Sequence, residues 1–320
     1  MRATPRRSSL RPLAGRLAAL LLTAAAFAFT APTPATADEG SVLAADYTGP
    51  AGTRHYFVYA PPGDSSGRPL LVFLHGCGDM LSTDADPDPA VVRDDVLARL
   101  AREHGFVVAY PIQSPDANLL GCWNFTDPHD QHRGSGEPAL LAGITEAVRD
   151  RYALDPHRVY LAGHSGGALM ATIMGAAYPD LYTAISTWCS GAYATGTDIT
   201  GTAAYTEMGP RARPIPALLV EATNDPLSSP PVGRIALDQW LATNLLAAGH
   251  PPAPLPTPDT VTHHDPDPAN GFRHSSTRED YHTGSTPVSF LTLDGATHTL
   301  AGDLTGVTRT AIEFLLTQHR

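Results

Sequence analysis

Residues Arg158–Ala177 constrain this chain more than any others. A short apolar run, RVYLA, leads into Gly163-His164-Ser165-Gly166-Gly167, and ALMATIMGAA follows at once. The first run reads as a buried strand and the second as a helix. A turn this tight between strand and helix brings the residues two before and two after the serine against each other, which is the mechanical reason for glycine at 163 and 167. The serine hydroxyl is then held at the carboxyl edge of a sheet.

The rest of the sequence repeats the alternation. Continuous apolar runs at Leu70–His75, Phe106–Tyr110, Ala184–Trp188, Ala217–Glu221 and Val288–Leu293 read as further buried strands. Helical patterns lie between and after them at Ala90–Glu103, Pro138–Tyr152, Gly233–Ala248 and Leu304–Gln318. Such alternation predicts an α/β protein, a doubly wound and mostly parallel sheet with helices on both faces. An early strand pair around Arg54–Tyr59 is expected to add an antiparallel edge. The Pro-rich Pro251–Pro258 and the polar stretch after it, to Ser285, carry too little apolar sequence for a second core. They read as a long excursion inside one domain spanning 38–320.

A strand–Gly-x-Ser-x-Gly–helix unit is the context of a nucleophile elbow. Serine is a weak nucleophile at its free pKa, so Ser165 needs a histidine base and an acid that orients it, expected in the chain order Ser, Asp or Glu, His. Asp225 stands just beyond the strand ALLVE, and His298 follows the last strand after a Gly-containing loop. Glu221 competes for the acid role, but it falls within its strand. The tetrahedral intermediate of acyl transfer needs preorganised N–H donors, for which the backbone of Cys77 and of Gly166 are the candidates. His75, which opens the Gly76-Cys77-Gly78 loop, and His164, beside the serine, are assigned to substrate contact. Most other histidines, His274 among them, are assigned to the surface. His263, His264, Asp265 and Asp267 suggest a metal, but the spacing is too tight for zinc and Pro266 interrupts it. The chemistry needs no metal and no cofactor.

All 21 basic residues are Arg, and the formal charge is −11. Phosphate binding needs a basic surface, so nucleic acid is not an expected partner. Five Arg within the first 16 residues, an apolar run from Leu17 to Phe29 and Ala35-Thr36-Ala37 read together as a cleaved export signal over residues 1–37. A secreted protein beginning at Asp38, off the membrane and monomeric, is expected.

Several segments together resemble the polyhydroxybutyrate depolymerase family of secreted esterases, which also contains feruloyl and acetylxylan esterases. The matching residues are Leu74-His75-Gly76-Cys77, Tyr110-Pro111 with Gln113-Ser114 and Asn118, Cys122-Trp123-Asn124, Gln131 with Arg133-Gly134 and Gly136-Glu137-Pro138, Asp155–Tyr160, the elbow, and Tyr178-Pro179-Asp180. The resemblance implies an α/β-hydrolase fold with Ser165 as nucleophile, Asp225 as acid and His298 as base, and puts Trp123 beside the serine as a substrate contact. It also brings Cys77 and Cys122 together as a disulfide, with Cys189 left reduced; pairing with Cys189 stays an alternative. The chain departs from the family at His164 and Gly166 in the elbow, at Glu221-Ala222 before the acid, and at Thr299-Leu300 after His298. The implied substrates are aliphatic hydroxyacid esters, with feruloyl or acetyl groups of plant cell walls second. Without an aromatic-rich polymer-binding domain in the sequence, soluble oligomers are favoured over crystalline polymer. A peptidase shares the triad chemistry, and a non-catalytic binding protein on the same scaffold is the remaining alternative.

Overall fold

In the computed structural model, which describes residues 39–78, 92, 93, 95–114, 116–118, 120–196 and 198–320, the apolar runs lie side by side. The strands are β1 (Ser41–Gly49), β2 (Gly52–Ala60), β3 (Leu70–Leu74), β4 (Val107–Pro111), β5 (Val159–His164), β6 (Ala184–Trp188), β7 (Ala217–Ala222), β8 (Thr260–His264), β9 (Ser276–Thr283) and β10 (Thr286–Leu293). They form one sheet in the order β1-β2-β4-β3-β5-β6-β7-β10-β9-β8. The strands from β4 through β10 in that order run parallel, and antiparallel strands extend both ends. The export signal read in residues 1–37 and the start of the helix read at Ala90–Glu103 lie outside the described residues.

The helices are α1 (Val96–His104), α2 (Gly136–Arg151), α3 (Gly166–Ala177), α4 (Thr202–Met208), α5 (Pro230–Ala247) and α6 (Leu304–Leu316). Alternate strand residues divide the core between two layers. Leu70, Val72, Val107, Val159, Leu161 and Leu219 pack with α2, α3 and α5, whereas Leu71, Val108, Tyr160, Leu218 and Val220 pack with α1 and α6. Because both faces are covered, the central strands are apolar at most positions on either face, with Ser186, Thr187 and Glu221 among the exceptions.

The excursion after Pro251 is more ordered than its composition implies. It contains β8 and β9, which add two antiparallel strands beyond β10. Every residue of β8 is exposed, so no apolar alternation announces it. Polar and charged residues suit a strand that ends a sheet, because they discourage pairing with another chain. Arg278 of β9 is paired with Asp280 at 2.9 Å on the same strand.

A buried amide fixes where β7 begins. Asn244 of α5 accepts from the Ile215 N–H at 2.9 Å and donates to the Ile215 carbonyl at 3.0 Å, while Trp240 Nε1 donates to the same carbonyl at 3.1 Å. Asn244→Ala leaves the Ile215 N–H without that partner and should destabilise the protein by about 1–3 kcal/mol. The expected observation is a lower urea midpoint with an unchanged slope.

Candidate active site

Ser165 sits between β5 and α3 at φ 54° and ψ −121°, in the left-handed half of backbone space that a residue with a Cβ rarely occupies. A Cβ on Gly163 would come within 2.5 Å of the Gly167 backbone, and one on Gly167 within 2.1 Å of the Leu74 carbonyl oxygen. Glycine at both places lets β5, α3 and the end of β3 close on one another. The Ser165 N–H donates to the Trp188 carbonyl at 2.9 Å, tying the turn to the end of β6.

Three side chains from three strand ends meet there. Ser165 Oγ lies 2.8 Å from His298 Nε2, and His298 Nδ1 lies 2.7 Å from Asp225 Oδ2. The other carboxylate oxygen of Asp225 accepts from the N–H groups of Leu227 at 2.7 Å and Ser228 at 2.9 Å. Burial works against the Asp225 carboxylate, but the Ser228 N–H, His298 and the Leu227 N–H outweigh it and hold its pKa below the usual value. An ionised Asp225 accepts from Nδ1–H, leaving Nε2 free to accept the serine proton.

Glu221, the competing acid, does not reach His298. It lies within β7, where Oε1 accepts from the Ser190 N–H at 3.1 Å and Oε2 lies 3.1 Å from Ser228 Oγ. Burial pushes its pKa up to about 8 against an ordinary 4.5, and the Asp225 charge adds to the rise. Ser228 Oγ also donates to the Ser190 carbonyl at 2.6 Å. Its single proton is then engaged, and a protonated Glu221 can supply the hydrogen between the two side chains.

The loop facing the serine is pinned by a bond between Cys77 and Cys122, whose Cα atoms are 4.3 Å apart; Cys189 is free and buried. A Cβ on Gly166 would come within 2.8 Å of Cys77 Sγ, so the disulfide lies directly against the start of α3. Among the described residues neither the Cys77 nor the Gly166 N–H has an acceptor, which is the condition for two donors waiting for an anionic oxygen.

The structure places His75 and Trp123, assigned to substrate contact, behind the loop, and His164, assigned likewise, half-buried beside His298. His75 and Trp123 are 2% and 1% exposed. The Gln113 N–H donates to His75 Nε2 at 3.0 Å, so the ring proton is on Nδ1, which donates to the Gly76 carbonyl at 2.8 Å. Trp123 Nε1 donates to the His75 carbonyl at 3.1 Å. Both residues therefore brace the loop from behind. His164 Nε2 lies 2.8 Å from the His298 carbonyl oxygen and holds the histidine loop from below. His274, read as a surface residue, is half-buried, with Nδ1 2.8 Å from the wholly buried Asp303 carboxylate. His263 lies on the exposed strand β8 with Nδ1 2.9 Å from Thr277 Oγ1, and Asp267 caps the turn at Pro268–Asn270.

The remaining motif residues form a polar scaffold under the same loop. Gln113 Nε2 donates to the Cys122 carbonyl at 2.7 Å and to Glu137, and its side-chain oxygen accepts from Arg54. Glu137 also accepts from the Asn124 N–H at 2.8 Å. Asn118 Nδ2 donates to the Cys122 carbonyl at 2.6 Å, and its oxygen accepts from the Cys122 N–H at 3.1 Å. Arg133 grips Asp180 through two nitrogens, at 2.6 and 3.1 Å.

Ser165 and His298 open on a cavity of about 460 Å³, whose walls include Phe125, Leu169, Ala192, Leu227, Val232 and Ile235. These wall residues lacked a sequence signal, because single apolar residues on separate helices and loops look like ordinary core positions.

A family model described as Esterase PHB depolymerase matches residues 54–248. Poly(3-hydroxyalkanoate) depolymerase C of Paucimonas lemoignei is 32% identical over 166 residues, 52% of this chain and 38% of that protein. Acetylxylan esterase A of Aspergillus awamori is 29% identical, over 41% of this chain and 40% of that one. Feruloyl esterase B of Neurospora crassa is 28% identical, over 43% and 44%. These matches span less than half the length of each relative. Among solved structures, the acetyl xylan esterase from Aspergillus awamori superposes with a TM-score of 0.65 at 18% identity, covering 86% of this chain and 99% of that one. The described sheet and helices thus have the α/β-hydrolase arrangement.

Two outcomes follow from the site's construction. Removing the disulfide with Cys77→Ala and Cys122→Ala should cost about 3–4 kcal/mol in loop-closure entropy, seen as a lower midpoint of chemical unfolding. For Glu221, the folded protein holds a proton that the unfolded chain releases between the ordinary 4.5 and about 8. Its contribution to stability is therefore full below that window and is lost as the pH rises through it. Glu221→Gln should flatten the decline of stability between these pH values, and an unchanged pH profile would refute the buried neutral carboxyl.

Proposed function

Because the chain belongs to the Esterase PHB depolymerase family, we propose that it is a serine carboxylic ester hydrolase working through an acyl-enzyme. The relay Asp225–His298–Ser165, with spacings of 2.7 and 2.8 Å, carries this reading. Ser165 Oγ attacks the ester carbonyl as His298 Nε2 takes its proton. The N–H groups of Cys77 and Gly166 receive the oxyanion, and Asp225 stabilises the imidazolium. His298 then protonates the leaving alcohol, the C–O bond breaks, and the same nitrogen activates water to hydrolyse the acyl-enzyme.

Aliphatic hydroxyacid esters of oligomeric or polymeric type are the proposed substrates. Support comes from the apolar walls of the cavity and from the similarity to a poly(3-hydroxyalkanoate) depolymerase. We place the protein outside the cell as a monomer without a cofactor. The Cys77–Cys122 bond suits an oxidising compartment, and no helix of the described residues is long and apolar enough to cross a membrane.

The test is hydrolysis of short p-nitrophenyl acyl esters, 3-hydroxybutyrate oligomers, methyl ferulate and acetylated xylan by protein starting at Asp38. Ser165→Ala should lower kcat by on the order of 10⁴–10⁶, and Asp225→Asn by about 10⁴. The hydroxybutyrate oligomers are expected to give the highest kcat/KM. A preference for ferulate or acetylated xylan would move the substrate to the cell-wall class, and activity undiminished in Ser165→Ala would overturn the nucleophile.

A further inference from the structure

Cys189 sits at the site, yet ester hydrolysis does not use it. It follows β6 as Ser165 follows β5, and the two residues share a positive φ, 51° and 54°. The Cys189 N–H donates to the Val220 carbonyl at 2.8 Å, which fixes the residue between β6 and β7. Although 2% exposed, Cys189 lines the same cavity as Ser165 and His298.

Ligand atoms of Cys189, Asp225 and His298 all lie within 4.8 Å of one another, the one such group of three among the described residues. Zinc bound tetrahedrally at about 2.3 Å from sulfur and about 2.0–2.2 Å from nitrogen or oxygen holds its ligand atoms roughly 3.4–3.6 Å apart. Binding would therefore open the 2.7 Å contact between His298 Nδ1 and Asp225 Oδ2 and hold the sulfur at that distance from both. We infer that Cys189, Asp225 and His298 form a binding site for a thiophilic divalent cation of the zinc and cadmium class, and that its occupation switches the serine off.

Charge and proton balance favour the site. A divalent cation with one thiolate, one carboxylate and one neutral imidazole sums to zero charge, so no net charge is buried. The thiol proton leaves to solvent as the metal–sulfur bond forms. The cation takes His298 Nδ1 in place of that atom's hydrogen bond to Asp225, and the ring proton moves to Nε2. Nε2–H donates and cannot accept, so Ser165 loses its base. Three protein ligands leave a fourth position for water, and Cys189 and His298 both line the cavity. Sulfur makes the site selective for soft cations over magnesium.

Loss of activity on metal binding rests on the proposed esterase reading, whereas binding itself does not. The experiment therefore has two readouts. Purified protein is titrated with Cd²⁺, Zn²⁺ and Mg²⁺ while p-nitrophenyl butyrate hydrolysis is followed, and the Cd²⁺ titration is repeated for the ultraviolet thiolate-to-cadmium charge-transfer band. Cys189 is the free cysteine of the three, so the band reports that residue. The expected result is inhibition by Cd²⁺ and Zn²⁺ but not Mg²⁺, with a band that saturates at one equivalent. In Cys189→Ala, and in Cys189→Ser should alanine not fold, the band should vanish. The concentration for half-inhibition, relative to each variant's metal-free rate, should rise at least about 10–100-fold, the range that even an outer-shell partner commands. No band in the wild type, equal sensitivity of the variants, equal inhibition by Mg²⁺, or a saturated band without inhibition would each overturn the inference. A protein that binds Cd²⁺ but has no metal-free activity on any ester would instead overturn the esterase reading.

Discussion

A serine at φ 54° holds its place only because the backbone around it lacks side chains. Gly163 and Gly167 lie against each other, and Gly167 against the Leu74 and His75 carbonyls, so β5, α3 and the end of β3 form one rigid joint. The disulfide at Cys77 lies against Gly166 in that joint, and the Ser165 N–H is bonded to the end of β6. Ser165 is held at this joint, while Asp225 and His298 reach it from the ends of β7 and β10. The strained backbone is maintained by the sheet around it.

Two carboxyl groups four residues apart at the end of β7 have opposite environments. Asp225 has passed the edge of the sheet and collects N–H donors, so it stays ionised. Glu221 remains between strand and helix, where burial favours its neutral form. A Cβ on Gly233 would come within 2.2 Å of the Glu221 side chain, which shows how closely α5 covers it. The pair illustrates how environment rather than residue type separates titrating groups.

Most motif residues that carry the family resemblance hold the loop opposite the serine rather than facing the cavity. Gln113, Asn118, Asn124 and Glu137 satisfy the backbone around Cys122, and Trp123 and His75 fill the space beneath it. Burial pushes the Glu137 pKa up, against hydrogen bonds from Gln113 and Asn124 and the nearby Arg54. Such a network is stable only when complete, which is why its residues appear as a recognisable set. Of this set the sequence assigned only His75 and Trp123 to substrate contact, Trp123 through the family resemblance.

The sequence by itself determined the central parallel strands, the elbow and the order of Ser165, Asp225 and His298. Burial on both faces demands continuous apolar runs, and a tight turn demands glycine, so both leave direct marks on the residues. Strand β8 left none, since an exposed edge needs no apolar periodicity, and β9 inside it is covered although its sequence STREDYHT is mostly polar. Only the tertiary structure decided which way His75, Trp123 and His164 face, which apolar residues wall the cavity, and that Cys189 stands beside Asp225 and His298. Those relations join residues distant in the chain, His75 and Trp123 by 48 positions and His164 and His298 by 134. They follow from how strands from different parts of the chain align in one sheet, and local sequence pattern does not encode that alignment.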